Sequence, residues 1–235
     1  MDNQIRLNKF LAERLGVSRR EADELIAAGK ITINHKKAVI GDRIDIPTSE
    51  NIDKTAKVCY NGKIVPFQTE YLYLAFNKPV GYVCSRRSQG SAPTLYTLLP
   101  KKYHYLKTVG RLDKDSSGLI LLTNDGDFAF QMTHPKFHKT KQYEVTLDKP
   151  LEPLHQQMIS YYGILLEDGP SKFTVVRQDD YYIVTLSEGR NRQIRRTFAA
   201  LNYKVTKLHR TKFGPYELTD LKPGGFVEIQ KKSKN

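Results

Sequence analysis

The first apolar positions of the chain recur at helical spacing. Leu7, Phe10, Leu11 and Leu15 follow one another at intervals of one, three and four and stop at Gly16, which predicts an amphipathic helix. Ser18-Arg19-Arg20-Glu21 has the form of a capping box, in which serine and glutamate side chains satisfy each other's backbone N–H groups. A second helix is predicted from there, with Ala22, Leu25 and Ile26 as its buried stripe and Gly29 at its C-terminal cap. Ile31 and Ile33 then alternate like a strand before the turn Asn34-His35-Lys36-Lys37. Val58 to Glu70 is polar, with Asn61-Gly62-Lys63 and Pro66, and predicts a last hairpin followed by a linker.

From Tyr71 the pattern changes. Strand signals fall at Tyr71 to Phe76, Leu119 to Thr123, Gln142 to Leu147, Phe173 to Arg177 and Tyr181 to Leu186, and helical stretches near Phe128 to Thr133, Leu154 to Tyr161 and Arg192 to Leu201. That mixture implies an α+β fold. The expected division is a helix-helix-hairpin module over residues 1–65, a linker over 66–70 and a larger domain over 71–230. A basic tail, Lys231-Lys232-Ser233-Lys234-Asn235, is expected to be disordered and dispensable.

Composition adds a partner. Of 235 residues, 39% are hydrophobic, enough for a sizeable core, while 38 Lys and Arg against 25 Asp and Glu give a net charge of +13, which favours a polyanion such as nucleic acid. In the first module Arg6, Lys9, Arg19, Arg20, Lys30 and Lys36 are candidate RNA contacts, diluted by acidic neighbours. Between Leu186 and Lys212 the charge is concentrated: Arg190, Arg192, Arg195, Arg196, Lys204, Lys207, Arg210 and Lys212 stand against Glu188 alone. Interleaved with Phe198, Leu201, Tyr203 and Leu208, they suggest a partly buried helix and strand presenting arginines to phosphates. Cys59 and Cys84 are far apart and the six histidines show no ligand spacing, so neither disulfide nor metal is expected. Met1 to Lys9 has no apolar run, and no stretch approaches the ~18 apolar residues of a membrane helix, so the cytoplasm is the expected compartment.

Two groups of motifs bear a resemblance. Arg6-Leu7-Asn8-Lys9-Phe10-Leu11, Ser18 to Asp23 and Gly29-Lys30-Ile31-Thr32-Ile33-Asn34 resemble the small RNA-binding module named after ribosomal small-subunit protein four. Asn77-Lys78-Pro79-Val80-Gly81-Tyr82, Gly110-Arg111-Leu112-Asp113 with Ser116-Ser117-Gly118-Leu119, Lys141-Gln142-Tyr143 and Glu188 to Arg196 resemble, in that order, the bacterial ribosomal-RNA pseudouridine synthases. The resemblance implies a catalytic domain with a central cleft and no cofactor. It also implies a reaction that breaks the glycosidic bond of a uridine, turns the uracil and rejoins it through a ring carbon.

The same resemblance assigns roles. Asp113 falls on the family's aspartate, which attacks the sugar or the base or abstracts a sugar proton, and the sequence leaves these three open. Arg195 falls on its basic partner, expected to keep Asp113 ionised, and Tyr143 on the tyrosine that packs against the flipped base, with strand burial as its competing role. Leu208 is expected to line the pocket and Arg111 to support the loop or fill the gap left by the base. Leu165 to Pro170 hints at members acting on large-subunit RNA. The expected partner is ribosomal RNA, the expected working unit a monomer without metal or membrane. Two other readings compete: a non-catalytic RNA-binding assembly factor, and a metal-dependent nuclease built on Asp113, Asp115, Asp125 and Asp127.

Overall fold

The computed structural model describes residues 4–46, 56–67, 70–86 and 90–232. The chain divides into two compact units, residues 1–72 with 124–126, and residues 73–123 with 127–235. The linker residues 68 and 69 and the tail residues 233–235 lie outside the described set.

The first unit contains β1 (Gln4–Arg6), α1 (Leu7–Arg14), α2 (Arg19–Ala27), β2 (Ile31–Ile33), β3 (Lys36–Lys37), β4 (Arg43–Asp45), β5 (Val58–Tyr60) and β6 (Lys63–Ile64). The capping box forms at α2: Glu21 N donates to Ser18 Oγ at 3.1 Å, and Ser18 N donates to the Glu21 carboxylate at 2.6 Å. Gly29 ends that helix with φ +67°, a conformation glycine adopts without strain. A four-stranded sheet runs β3-β2-β5-β6, and β1 pairs with β4. Leu7, Phe10, Leu11, Ala22, Ile26 and Ile31, none more than 2% exposed, form the core between helices and sheet. Burying each large side chain among them contributes about 1.5–3 kcal/mol.

The second unit contains β7 (Tyr73–Lys78), β8 (Lys107–Val109), β9 (Ser117–Thr123), α3 (Gly126–Thr133), β10 (Lys141–Leu147), α4 (Pro153–Gln157), β11 (Ile164–Leu166), β12 (Gly169–Ser171), β13 (Thr174–Arg177), β14 (Tyr182–Leu186), α5 (Gln193–Ala199), β15 (Val205–Phe213), β16 (Tyr216–Glu217) and β17 (Phe226–Glu228). Its nine-stranded sheet runs β13-β14-β10-β15-β9-β7-β17, with β8 added beside β9 and β16 beside β15. The fold is α+β, as expected. Leu119 to Leu122 are at most 1% exposed, which explains why β9 has an unbroken apolar sequence: both of its faces are covered.

Among the described residues, the one parallel strand pairing in this sheet joins β9 to β15, through His209 opposite Ser117 and Arg210 opposite Gly118. Gly118 has φ +106°, and a Cβ there would lie 2.3 Å from the Arg210 carbonyl oxygen and 2.5 Å from its nitrogen. Only glycine lets the two backbones approach this closely.

Three expectations change. The helix expected to Tyr161 is α4 to Gln157, continued by one π turn, Met158–Tyr162, which ends at Gly163. The basic stretch after α5 is a single nine-residue strand, β15, in the middle of the sheet. Lys231 and Lys232, expected to belong to a disordered tail, make defined contacts: Lys232 N donates to Tyr216 Oη at 2.9 Å, and the Lys231 ammonium lies 5.8 Å from the Phe128 ring centre. Among the described residues, no helix is long and apolar enough to cross a membrane.

Candidate active site

The loop between β8 and β9, residues Gly110 to Ser116, forms one wall of a cavity of about 460 Å³ that Asp113, Arg111, Tyr143 and Leu208 all line. Its conformation is held from below. Ser116 N donates to Asp113 O at 3.1 Å, closing a turn, and Gly81 N donates to Lys114 O at 2.7 Å. Leu112 N donates to Cys84 Sγ at 3.3 Å, and the thiol donates to Leu112 O at 3.4 Å. Lys78, completely buried, donates from Nζ to Ser116 O at 2.6 Å and Pro79 O at 3.0 Å. Burial lowers the pKa of Lys78, against the opposing pull of the Cys84 thiol, Asp113 and Asp115. Burial raises that of the Cys84 thiol, so it serves as a neutral hydrogen-bonding group.

The ion pairs differ from the expected arrangement. Asp113 Oδ2 lies 3.8 Å from Arg192 Nη1, while Arg195 pairs with Asp115, its Nε 3.4 Å from Oδ2. Arg192 also grips Asp115 with both terminal nitrogens at 3.1 Å. The cause is the start of α5. Arg192 caps that helix in a left-handed conformation, φ 46° and ψ 30°, which turns it towards Asp113, and it lines the cavity. Arg195, inside the helix, lines instead a neighbouring cavity of about 660 Å³. Its guanidinium ties three elements together, Nη1 donating to Val205 O and Nη2 to Asp115 O, both at 2.8 Å. Asp113 remains an electrostatic neighbour of Arg195 without direct contact.

Asp115 is the better-held carboxylate. Partial burial pushes its pKa up, but the Arg192 hydrogen bond and the charges of Arg195 and Arg192 more than offset this and hold it below the usual range. Reciprocally, the Asp115 hydrogen bond raises the pKa of Arg192.

Tyr143 is buried within its strand and also faces the cavity: it is 8% exposed and shares a face of β10 with buried Val145. Across the strands Tyr143 pairs with Arg210 and Val145 with Leu208, after a bulge at Gln142/Tyr143. Leu208, 7% exposed, thus sits beside Tyr143 on the cavity wall.

Several basic residues assigned to RNA phosphates are committed elsewhere. Arg190 donates to Asp168 Oδ1 at 3.0 Å and to the carbonyls of Asp168, Gly169 and Pro170. Arg196 holds both Asp168 oxygens, at 3.0 and 2.7 Å, and donates from Nε to Asn191 O. Together they clamp the β11–β12 turn to the start of α5. The hydrogen bond from Arg196, with the charge of Arg190, keeps the Asp168 pKa low. Arg210 is 2% exposed, so no phosphate on the surface reaches it. Lys207 stays exposed, 3.9 Å from Glu144. In the first unit Arg6, Arg19, Arg20, Lys30 and Lys36 are exposed and Lys9 half-buried.

Sequence reading missed Lys78, Cys84, Asp115 and Asp168 as determinants of the site. The first sits in the Asn77 to Tyr82 motif and the third two residues from Asp113, so proximity to the motifs was their signal. Cys84 and Asp168 reach the site through pairings 28 and 28 residues away, to Leu112 and Arg196, which no local pattern encodes. Among the described residues, no three His, Cys, Asp or Glu side chains converge as a metal site requires.

Comparison with known proteins gives this geometry a context. A family model described as RNA pseudouridylate synthase matches residues 72–200, and one described as S4 domain matches residues 5–45. The chain is 39% identical over 224 residues to a ribosomal small subunit pseudouridine synthase A of Pasteurella multocida, covering 92% of this chain and 91% of that protein. It is 32% identical over 242 residues to a ribosomal large subunit pseudouridine synthase B of Yersinia pestis, covering 98% and 74%. A crystal structure of a pseudouridylate synthase superposes with a TM-score of 0.67 at 34% identity, over 96% of both chains.

Proposed function

The chain belongs to the RNA pseudouridylate synthase family, and on that premise we propose that it isomerises a uridine of ribosomal RNA to pseudouridine at the cavity around Asp113. The observation that carries this reading is the convergence of Asp113, Arg111, Tyr143 and Leu208, drawn from two separate motifs and β15, on one cavity.

In the proposed mechanism the target nucleotide leaves its stack and its base packs against Tyr143 and Leu208, an aromatic and an aliphatic wall that accept a ring face. Asp113 acts on the nucleotide as an ionised carboxylate, with Arg192 at 3.8 Å as its direct cationic neighbour. Arg195 serves as a brace, fixing the Asp113–Ser116 turn to β15 through Asp115 O and Val205 O. Arg111, exposed at the cavity rim, enters the space the base vacates. The exposed basic residues of the first unit supply sequence-independent attraction to phosphates.

Relatives named for the small and for the large ribosomal subunit are both similar to the chain. The hint of a large-subunit target in Leu165 to Pro170 therefore gains no separate support, and ribosomal RNA is the substrate proposed.

Asp113→Ala tests the mechanism on transcribed small- and large-subunit ribosomal RNA. Pseudouridine formation is expected to vanish while RNA affinity stays equal or rises, because a carboxylate in a basic groove repels phosphates. Undiminished product from this variant would sink the reading and return the assembly-factor alternative.

A further inference from the structure

Arg210, 2% exposed, is the largest of the fully buried side chains among the described residues, and its charge has an unusual setting. Nε donates to Leu119 O at 2.7 Å, and the guanidinium carbon lies 4.8 Å from the centre of the Phe213 ring. Among the described residues Nη2 is buried with no hydrogen-bond partner. No carboxylate pairs with Arg210 among the described residues; its charged neighbours are cations. Lys141 Nζ lies 5.5 Å from the same Phe213 ring, and the charge of Arg210 helps to lower its pKa, after burial itself. Lys78 feels Arg210 in the same direction.

A buried, unpaired guanidinium among like charges is costly to fold. Arg190 Nε and Arg195 Nε are also buried without a hydrogen bond, but each lies 3.4 Å from a carboxylate oxygen, whereas Arg210 Nη2 has no such neighbour among the described residues, and a donor so placed invites a functional explanation. Here the side chain lines the Asp113 cavity, opposite Tyr143 across the strands and two residues from Leu208. An occupant of that cavity would therefore meet a guanidinium that has no anionic partner of its own among the described residues.

Resting on the function proposed above, we infer that Arg210 is a substrate-contacting residue whose guanidinium donates to a carbonyl oxygen of the uracil ring. The isomerisation gives this contact a role in the reaction. When the bond from C1′ to N1 breaks, its electron pair stays on the base and spreads onto the ring oxygens. When C5 bonds to C1′, the C5 proton leaves and N1 takes up a proton, so no atom or electron is gained or lost. A fixed donor carrying positive charge in a water-poor site stabilises the negative base between these steps, as an oxyanion-hole donor does. The Leu119 hydrogen bond and Phe213 ring hold the guanidinium in place beforehand, so little reorganisation is needed.

The test compares Arg210→Met, which keeps volume and removes the donor, with Arg210→Lys, which keeps charge and shortens the reach. Single-turnover pseudouridine formation is measured on ribosomal RNA transcripts that the unaltered enzyme modifies, with RNA affinity by filter binding and folding by thermal melting. Arg210→Met is expected to lose about 10²–10³-fold in rate, the cost of one such donor, with affinity changed less than about three-fold and melting preserved. Arg210→Lys should recover part of that loss, and should carry the comparison alone if Arg210→Met fails to fold. Folded variants reacting at the original rate would overturn the inference and leave Arg210 as a packing residue on Phe213. If instead the unaltered enzyme modified neither transcript, the proposed substrate would fail, a result distinct from a failure confined to Arg210.

Discussion

Substituting Gly118 by alanine puts the junction of the two halves of the catalytic sheet under a defined load. The new Cβ would stand 2.3 Å from Arg210 O and 2.5 Å from Arg210 N, and backbone rather than a flexible side chain must yield. Holding alanine at φ +106° costs about 1–3 kcal/mol. Parting β9 from β15 enough to admit the methyl weakens the hydrogen bonding of two residue pairs, at about 0.5–1.5 kcal/mol per bond. The sum, about 2–6 kcal/mol, is a large part of the 5–15 kcal/mol that typically separates folded from unfolded domains. Urea denaturation followed by circular dichroism should show the midpoint falling by about 0.7–3 M for a slope of about 2–3 kcal/mol/M. Since Gly118 directly follows the segment that carries Asp113, the fraction still folded should also be slow in pseudouridine formation. A Gly118→Ala protein within about 1 kcal/mol of the original and fully active would refute the account of this junction.

The two arginines of α5 should separate in their effects. Arg192→Ala removes the direct neighbour of Asp113, a pair about 40% exposed and so worth up to about 1 kcal/mol, and should lower kcat about five-fold with little change in stability. Arg195→Ala strips hydrogen bonds from Val205 O and Asp115 O and should lower stability by about 2–4 kcal/mol; the reverse pattern in kinetics and urea midpoints would overturn the assignment. For Asp115, a folded pKa below the unfolded one means that its stabilisation is complete at neutral pH. It is lost as pH falls through the ordinary carboxylate value of about 3.9 towards the lowered one. Asp115→Asn should flatten that acid limb of stability against pH, and an unchanged limb would deny the cluster its role. Asp168→Ala frees Arg190 and Arg196 from their shared carboxylate, so the salt dependence of single-stranded RNA binding should steepen by up to about 1.4, and an unaltered slope would count against neutralisation by Asp168.

How far the sequence could be read follows from how local each determinant is. The capping box of Ser18 and Glu21 and the Asn61-Gly62 turn are complete within four residues, and both helix and hairpin form where expected. β9 was legible because burial on both faces leaves an unbroken apolar run. β15 was not: its bulge shifts side-chain parity, and Lys207, His209 and Arg210 mimic a solvent-facing basic surface although Arg210 lies inside. The concentration of arginines between Arg190 and Arg196 was real along the chain but not in space. Asp168, Asp113 and Asp115, distant in sequence, fold against it and take up much of its charge. Asp113 and Tyr143, singled out by the motifs, both line the cavity, whereas the ionic neighbour of Asp113 was set by the left-handed turn at Arg192, which spacing does not reveal.

The parallel pairing of β9 and β15 also fixes when this cavity comes into being. Ser117 and His209, hydrogen-bonded at 2.9 Å, are 92 residues apart, and Arg210 reaches Leu119 across 91. Closing a loop of that length costs about 4 kcal/mol of chain entropy before any contact offsets it. Synthesis at about 5–20 residues per second leaves the Asp113 loop waiting roughly 5–20 s for Phe213 to be added. During that interval a nascent chain carries the aspartate without the walls that give it a substrate. The cavity around Asp113 is thus completed only once β15 has been added, well after the loop that carries the aspartate has left the point of synthesis.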